Sequence, residues 1–351
     1  MPRLRRVDCA QPGIRRVRRG RGFSYVGADG RRIDDPVVLQ RISELVIPPA
    51  WEDVWICTVP NGHIQATGTD AAGRRQYRYH DDWRRHRDRA KHDRMLEFAA
   101  TLPAARERML ADLARPEPDR ERVLGGAARL LDLGFFRIGS EEYAETNGSY
   151  GLATLRREHV TCSRGVLTFD YRAKSGKQRE QSLADEELCT LVRLLKRRRG
   201  GGDELLAYRN DAGEWVDVRS TDINNYLREI TGGEFTAKDF RTWHATVLCA
   251  VGLAVSAQAP TSESARKRAV ARAVAEVAHY LGNTPAVCRA SYIDPRVIDL
   301  YNDNVTIHAV LGELGAGASF GELSTQGAIE RAVYQLLREP SRRRTSVATA
   351  A

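Results

Sequence analysis

The six cysteines of this chain (Cys9, Cys57, Cys162, Cys189, Cys249 and Cys288) include no Cys-x-x-Cys pair. Zinc sites and disulfide frameworks need clustered or regularly spaced cysteines, so neither is expected, and reduced thiols in a cytoplasmic protein fit the scatter. No apolar run reaches the length of a membrane span, and no secretory apolar segment opens the chain. A phosphate-binding P-loop is also missing. Gly176-Lys177 has Tyr171 where the first glycine belongs and Gln178 where Ser or Thr belongs. No Asp-x-Asp pair suggests a magnesium site. These absences argue against a secreted scaffold, a membrane protein and a P-loop ATPase, and no cofactor or metal is expected.

What is present is positive charge. The 351 residues carry a formal net charge of +9, which favours a polyanionic partner. Eight arginines against one acid crowd residues 1–21, which read as a flexible basic arm, either solvated or touching phosphates. From Phe23 to about His80 the signals are for strands and turns. Residues 54–59 and 63–67 flank Pro60-Asn61-Gly62 as a hairpin, and a turn at 70–73 leads into 76–80. Helical character begins near Trp83. The expected fold is α+β: a small β-rich N-terminal domain over residues 1–85, then a larger, mostly α-helical domain over 86–340. That second domain contains a three-stranded β excursion at 159–183, and residues 341–351 read as a disordered tail. Helices are expected at 121–136, despite Gly125-Gly126, and at 184–199, 220–231, 238–256, 262–281 and 295–312.

Four stretches carry chemistry-bearing residues. Arg137 lies in an apolar run at a helix end, and Arg241 opens a buried helix, both awkward places for a charge without a partner. Lys174 sits on a turn between strands, able to reach into a groove. In the fourth stretch, Gly282 suits a left-handed helix stop, Thr284 an N-cap and Pro285 a first helical turn. That leaves Asn283 in the tight turn, nine residues before Tyr292. Each has an ordinary alternative: Tyr292 as a packing tyrosine, Asn283 as a turn former, Lys174 as a surface lysine, each arginine as half of an ion pair.

Taken in order, Arg137, Lys174, Arg241, Asn283 and Tyr292 resemble the catalytic constellation of the poxvirus-like, bacterial type IB topoisomerases. The similarity runs from Ile47-Pro48-Pro49-Ala50-Trp51 to beyond Tyr292. It is most specific over Gln65-Ala66-Thr67-Gly68 and Gly73-Arg74-Arg75-Gln76-Tyr77-Arg78-Tyr79-His80. The resemblance implies single-strand cleavage of double-stranded DNA through a 3′-phosphotyrosyl intermediate, strand rotation and religation by the 5′-hydroxyl. It implies two domains closing around the duplex, with Gln76, Tyr77, Tyr79, Arg74 and Arg75 as DNA contacts; strand alternation puts Tyr77 and Tyr79 on one face. Viral and eukaryotic members carry histidine where this chain has Asn283, and an amide can donate a hydrogen bond but cannot shuttle a proton.

In such a reaction charge builds on the phosphate oxygens, and the planar forks of Arg137 and Arg241 suit two of them. A tyrosine hydroxyl is a poor nucleophile at a free pKa of about 10, so the same cations should favour its phenolate. Lys174 is the candidate acid for the leaving 5′-oxygen. The phosphotyrosyl ester keeps the energy of the broken bond, so no ATP is required. A monomer without an obligatory protein partner, nucleoid-associated in the cytoplasm, is expected. Two alternatives stand beside it. A tyrosine recombinase shares the constellation, but usually has histidine where this chain has Lys238 and a helical N-terminal domain. A non-catalytic DNA-binding relative would not need a tyrosine at that spacing.

Overall fold

The computed structural model describes residues 3–256, 262–313, 323 and 325–338. It divides into two compact units, Met1–Asp93 and Arg94–Ala351. The fold is α+β, as expected.

In the first unit, strands β1 (Ile14–Arg19), β2 (Gly22–Val26), β3 (Glu52–Ile56), β4 (Ile64–Thr69) and β5 (Arg75–Tyr79) form an antiparallel sheet in the order β2-β1-β3-β4-β5. Ile14, Val54, Ile56 and Ala66 bury one face, covered by Ile42 of helix α1 (Pro36–Glu44). The expected hairpin is there, pairing Trp55 with Thr67 and Ile56 with Ala66. Two features differ from the sequence reading. The basic segment is not all a free arm: Ile14 goes into the core, and β1 takes an inner place in the sheet. Arg16 is held there because its Nη2 donates to the Trp51 carbonyl at 2.6 Å and its guanidinium lies 4.2 Å over the Phe23 ring. A short helix, α1, interrupts the strands; Asp35 caps it by accepting from the Val37 amide, and Pro36 fits its first turn.

Helix α2 (Asp81–Leu113) contains the division between the units. The second unit continues with α3 (Arg120–Gly134), α4 (Glu141–Asn147), the sheet β6 (Val160–Ser163), β7 (Val166–Arg172) and β8 (Gln178–Ala184), and α5 (Glu186–Arg197). A two-stranded ribbon of β9 (Ala207–Arg209) and β10 (Trp215–Asp217) follows. Then come α6 (Ser220–Thr231), α7 (Ala237–Ser256), α8 (Glu263–Leu281), α9 (Pro285–Ser291), α10 (Pro295–Asn302) and α11 (Ala328–Arg338). Helix α3 is buried from Arg122 to Gly134. Its glycine pair is a packing device: a Cβ on Gly126 would lie 2.4 Å from the Leu191 side chain of α5, so only glycine lets the two helices approach.

Three expectations in this unit need correction or placing. The helix expected over 295–312 stops at Asn302, because Asn304 turns left-handed (φ 61°) and the Val305 amide folds back to the Leu300 carbonyl. Cys162 and Cys189 are joined as a disulfide, not reduced, with Cα atoms 5.8 Å apart. Packing of β6 against α5 brings them together across 27 residues of sequence, a spacing with no motif to announce it. The tail expected to be disordered, 341–351, lies outside the described residues.

The interior of this unit holds a charged knot. Arg106 of α2 grips Asp132 of α3 with two bonds of 2.9 Å and Glu330 of α11 with two of 2.6 and 3.0 Å. The Trp243 indole of α7 donates to Glu330 at 2.8 Å, and His244 Nε2 lies 3.4 Å from Asp132. Burial would raise the Asp132 pKa, but Arg106 and His244 together hold it far below the usual carboxylate range. A carboxyl whose folded pKa is depressed stabilises the fold above its unfolded pKa, about 3.9, and loses that contribution as pH falls toward the folded value. Urea unfolding should therefore weaken steadily below about pH 4. Asp132→Asn, which removes the fully buried carboxylate that Arg106 grips with two bonds, should lower stability at pH 7 by about 3–5 kcal/mol and flatten the acid dependence. An unchanged midpoint would contradict the role given to the knot.

Candidate active site

Three helix ends converge in the second unit. Helix α3 stops at Gly134, and Phe135 takes a left-handed cap conformation (φ 55°). Helix α8 stops at Leu281, with Gly282 left-handed (φ 62°), which an L side chain would resist. The last carbonyls of a helix have no partner within it and attract cations. Here arginines supply the donors. Arg241, near the start of α7, is only 3% exposed; its Nη1 donates to the Phe135 carbonyl and its Nη2 to the Leu281 carbonyl at 2.9 Å. The Nη2 of Arg137 donates to the Gly282 carbonyl at 2.9 Å and to Asn283 Oδ1.

Thr284 caps α9 by accepting from the Val287 amide, and Pro285 occupies the first turn, so the local signals read in the sequence are the ones the chain uses. Asn283 is thereby pinned in the turn. Its oxygen faces Arg137, while its buried Nδ2 has no hydrogen-bond partner among the described residues. Helix α9 delivers Tyr292 at its C-cap, half-buried, with the Arg241 guanidinium 5.1 Å from the ring centre. The buried Nε of Arg241 has no hydrogen-bond partner among the described residues.

The structure thus brings together Arg137, Arg241, Asn283 and Tyr292. Lys174 stands apart from them, exposed on the tight turn Lys174–Gly176 that joins β7 to β8, with no ion pair among the described residues. A further cation in the cluster escaped the sequence reading. Arg179 of β8 sits directly across the ladder from Tyr171 of β7, and its Nη2 donates to the Tyr280 carbonyl at 2.9 Å. The available signal was an arginine at an inward position of an alternating strand, which is ambiguous in so charged a chain.

Charge is unbalanced here. Burial above all lowers the Arg241 pKa to about 10; Tyr292 opposes this and Arg137 and Arg179 add to it. The group still carries its proton at neutral pH. Arg179 is lowered likewise by burial and by Arg137, with Tyr171 opposing. Among the described residues no carboxylate lies within ion-pairing distance of Arg137, Arg179 or Arg241; their oxygen partners are backbone carbonyls and the side-chain amides of Asn283 and Gln181. Buried or half-buried cations held by dipoles alone leave a deficit of negative charge, for which an oxyanion is a chemically suited partner.

The family model for the catalytic core of eukaryotic DNA topoisomerase I matches residues 80–308, which include the whole cluster. The model for the N-terminal domain of bacterial DNA topoisomerase IB matches residues 22–70. The chain belongs to the type IB DNA topoisomerases. It is 33% identical over 298 residues to DNA topoisomerase 1B of Acanthamoeba polyphaga mimivirus, covering 83% of this chain and 88% of that one. It is also 28% identical over 157 residues to DNA topoisomerase 1 of Candidozyma auris, covering 43% of this chain and 20% of that one.

In this topoisomerase the N-terminal residues expected to meet DNA lie on or beside β5, an edge strand of the sheet. Tyr77 is 44% exposed and stacks on Tyr79 with ring centres 6.0 Å apart, so the pair does share a face. Gln76 donates to Asp70 at 2.9 Å, Arg74 pairs with the same carboxylate, and Arg75 reaches Thr67 Oγ1 at 3.2 Å. Hydrogen bonds, first from the Arg74 backbone, hold the Asp70 pKa down at about 2, so the Arg74 charge is locally matched while Tyr77 is free to stack. No helix among the described residues is long and apolar enough to cross a membrane, and no three His, Cys, Asp or Glu side chains gather as metal ligands would.

If the arginine cluster is an oxyanion site, inorganic phosphate should raise the unfolding temperature of the free topoisomerase more than chloride at equal ionic strength. That difference should vanish in Arg241→Met, read by scanning calorimetry. An equal response in the variant would place the anion effect elsewhere.

Proposed function

We propose that this topoisomerase relaxes supercoiled DNA by metal- and ATP-independent transesterification, with Tyr292 as nucleophile. The observation that carries the reading is the buried Arg241 guanidinium lying 5.1 Å from the Tyr292 ring centre, within a cluster of arginines that have no carboxylate partner among the described residues. The tyrosine gives up its hydroxyl proton to solvent, favoured by the adjacent cations, and its oxygen attacks phosphorus. The Tyr292 O–P bond forms as the bond from phosphorus to the 5′-oxygen breaks, leaving a 3′-phosphotyrosyl ester. Arg137 and Arg241 hold the non-bridging oxygens as their charge grows. Asn283, its oxygen already engaged by Arg137, offers its unpartnered Nδ2 to one of those oxygens.

Lys174 protonates the departing 5′-oxygen as its turn closes on the substrate. The free 5′ end rotates, and its hydroxyl reverses the exchange. One ester replaces another at each step, so no external energy source is needed. Gln76, Tyr77, Tyr79, Arg74 and Arg75 contact the duplex, mainly its backbone. One chain carries the full set, so the enzyme acts as a monomer on nucleoid DNA in the cytoplasm.

Supercoiled plasmid incubated with the protein in EDTA without ATP should relax, and Tyr292→Phe should abolish relaxation. Arg137→Ala should slow it by roughly 10²–10³-fold. A wild-type protein that binds the plasmid without relaxing it would overturn the proposal in favour of a binding protein. Since an amide does not titrate, Asn283→His should add an inflection to the cleavage rate near the imidazole range, about pH 6.5, absent from the wild type. Identical profiles would argue against phosphate contact by this side chain.

A further inference from the structure

We propose that Arg179 is a positioning residue that docks the Lys174-bearing β7–β8 hairpin onto the helix ends presenting Arg137 and Asn283. The inference rests on the proposed function, and assigns a role to a half-buried cation that the reaction as written does not use.

The hairpin turn Lys174–Gly176 is exposed, and Lys174 itself has no ion pair among the described residues to hold it. What fixes the hairpin lies further down its strands. Tyr171 and Arg179 face each other across the ladder, the tyrosine buried in the core of the unit. From there the Arg179 fork leaves the sheet. Its Nη2 reaches the Tyr280 carbonyl near the end of α8 at 2.9 Å and the Gly134 carbonyl at the end of α3 at 3.5 Å. Its Nε is held by Gln181 Oε1 at 2.7 Å, which sets the plane of the fork.

The carbonyls chosen are significant. Gly134 is the last residue of α3, three before Arg137, and Tyr280 lies three before Asn283. The absent side chain of Gly282 leaves room for this approach, since a Cβ there would sit 3.1 Å from Arg179 Nη1 and 3.6 Å from Arg137 Nη1. One guanidinium therefore ties three elements to a common origin: the hairpin bearing the proton donor, and the two turns bearing the phosphate ligands. A planar, permanently charged fork suits this task, because two helix C-termini present partial negative charge in one plane. A lysine could satisfy the charge but not the geometry.

The consequence is selective. Without Arg179 the phosphate ligands keep their own bonds, whereas Lys174 loses its fixed distance to the leaving oxygen. The defect should therefore depend on how much the leaving group needs a proton. Single-turnover cleavage in EDTA should be measured at a mapped site, with either the natural 5′-oxygen or a bridging 5′-sulfur at the scissile bond. With oxygen, the P–O bond breaks and the alkoxide takes a proton from Lys174. With sulfur, the P–S bond breaks and the thiolate departs unprotonated.

Arg179→Met is expected to lose roughly 10²-fold on the oxygen substrate. It should stay near the wild-type rate on the sulfur substrate, as should Lys174→Ala. Arg179→Lys should show the same leaving-group dependence in milder form, and carries the test if the methionine variant does not fold. Equal losses on both substrates would make Arg179 a direct phosphate ligand or a general fold element and overturn the inference, as would no loss on either. A wild-type protein inactive on both substrates would instead remove the topoisomerase mechanism itself.

Discussion

Two helices of the second unit end at one place, and the carbonyls they leave unpaired are capped by arginines instead of by solvent. The capping binds the guanidinium groups to the frame without neutralising them, because a carbonyl supplies a dipole and no net charge. A carboxylate in the same position would be the stronger structural partner. It would also close the site, since each arginine would then spend its charge internally. The fold instead keeps like charges close together, with Arg241 buried and Arg137 and Arg179 half-buried, a strain against folding that a phosphodiester would relieve under the proposed function. The deeper knot of Arg106, Asp132 and Glu330 is the counter-case: there the arginine is paired with carboxylates and supports α7 through the Trp243 indole.

This arrangement makes the Asn283 turn intelligible. In a histidine relative the same turn would present a ring that can be charged. Here the amide oxygen accepts from Arg137, which orients the other end of the amide as a donor. The substitution keeps the hydrogen bond and gives up the titration. Under the proposed function Arg137 would then have two duties, to the phosphate and to Asn283.

Much of this was legible in the sequence because it depends on neighbours in the chain. Gly282, Thr284 and Pro285 announce a helix stop, a cap and a restart, and the structure uses each in that way. The strands of 159–183 follow from alternation and turn glycines. Arg137 and Arg241 stood out because a charge in an apolar run is costly unless it serves something. The features missed depend on contacts between distant segments. Arg179 is ordinary until β8 is laid against β7 and the ends of α3 and α8. The Cys162–Cys189 bond exists only because α5 packs on β6. Strand β1 was hidden by its arginines, whose charge outweighed the pattern of its one buried isoleucine.

The central claim is that this cage of unneutralised arginines serves transfer of a DNA phosphodiester to Tyr292. It is tested most directly by trapping the covalent species. Duplex DNA nicked so that the leaving strand diffuses away would be incubated with the protein, the mixture denatured, and the adduct digested and sequenced by mass spectrometry. The account predicts one modified peptide, carrying a 3′-linked nucleotide on Tyr292. An adduct on any other residue, or DNA cleavage with no protein-bound product, would contradict it.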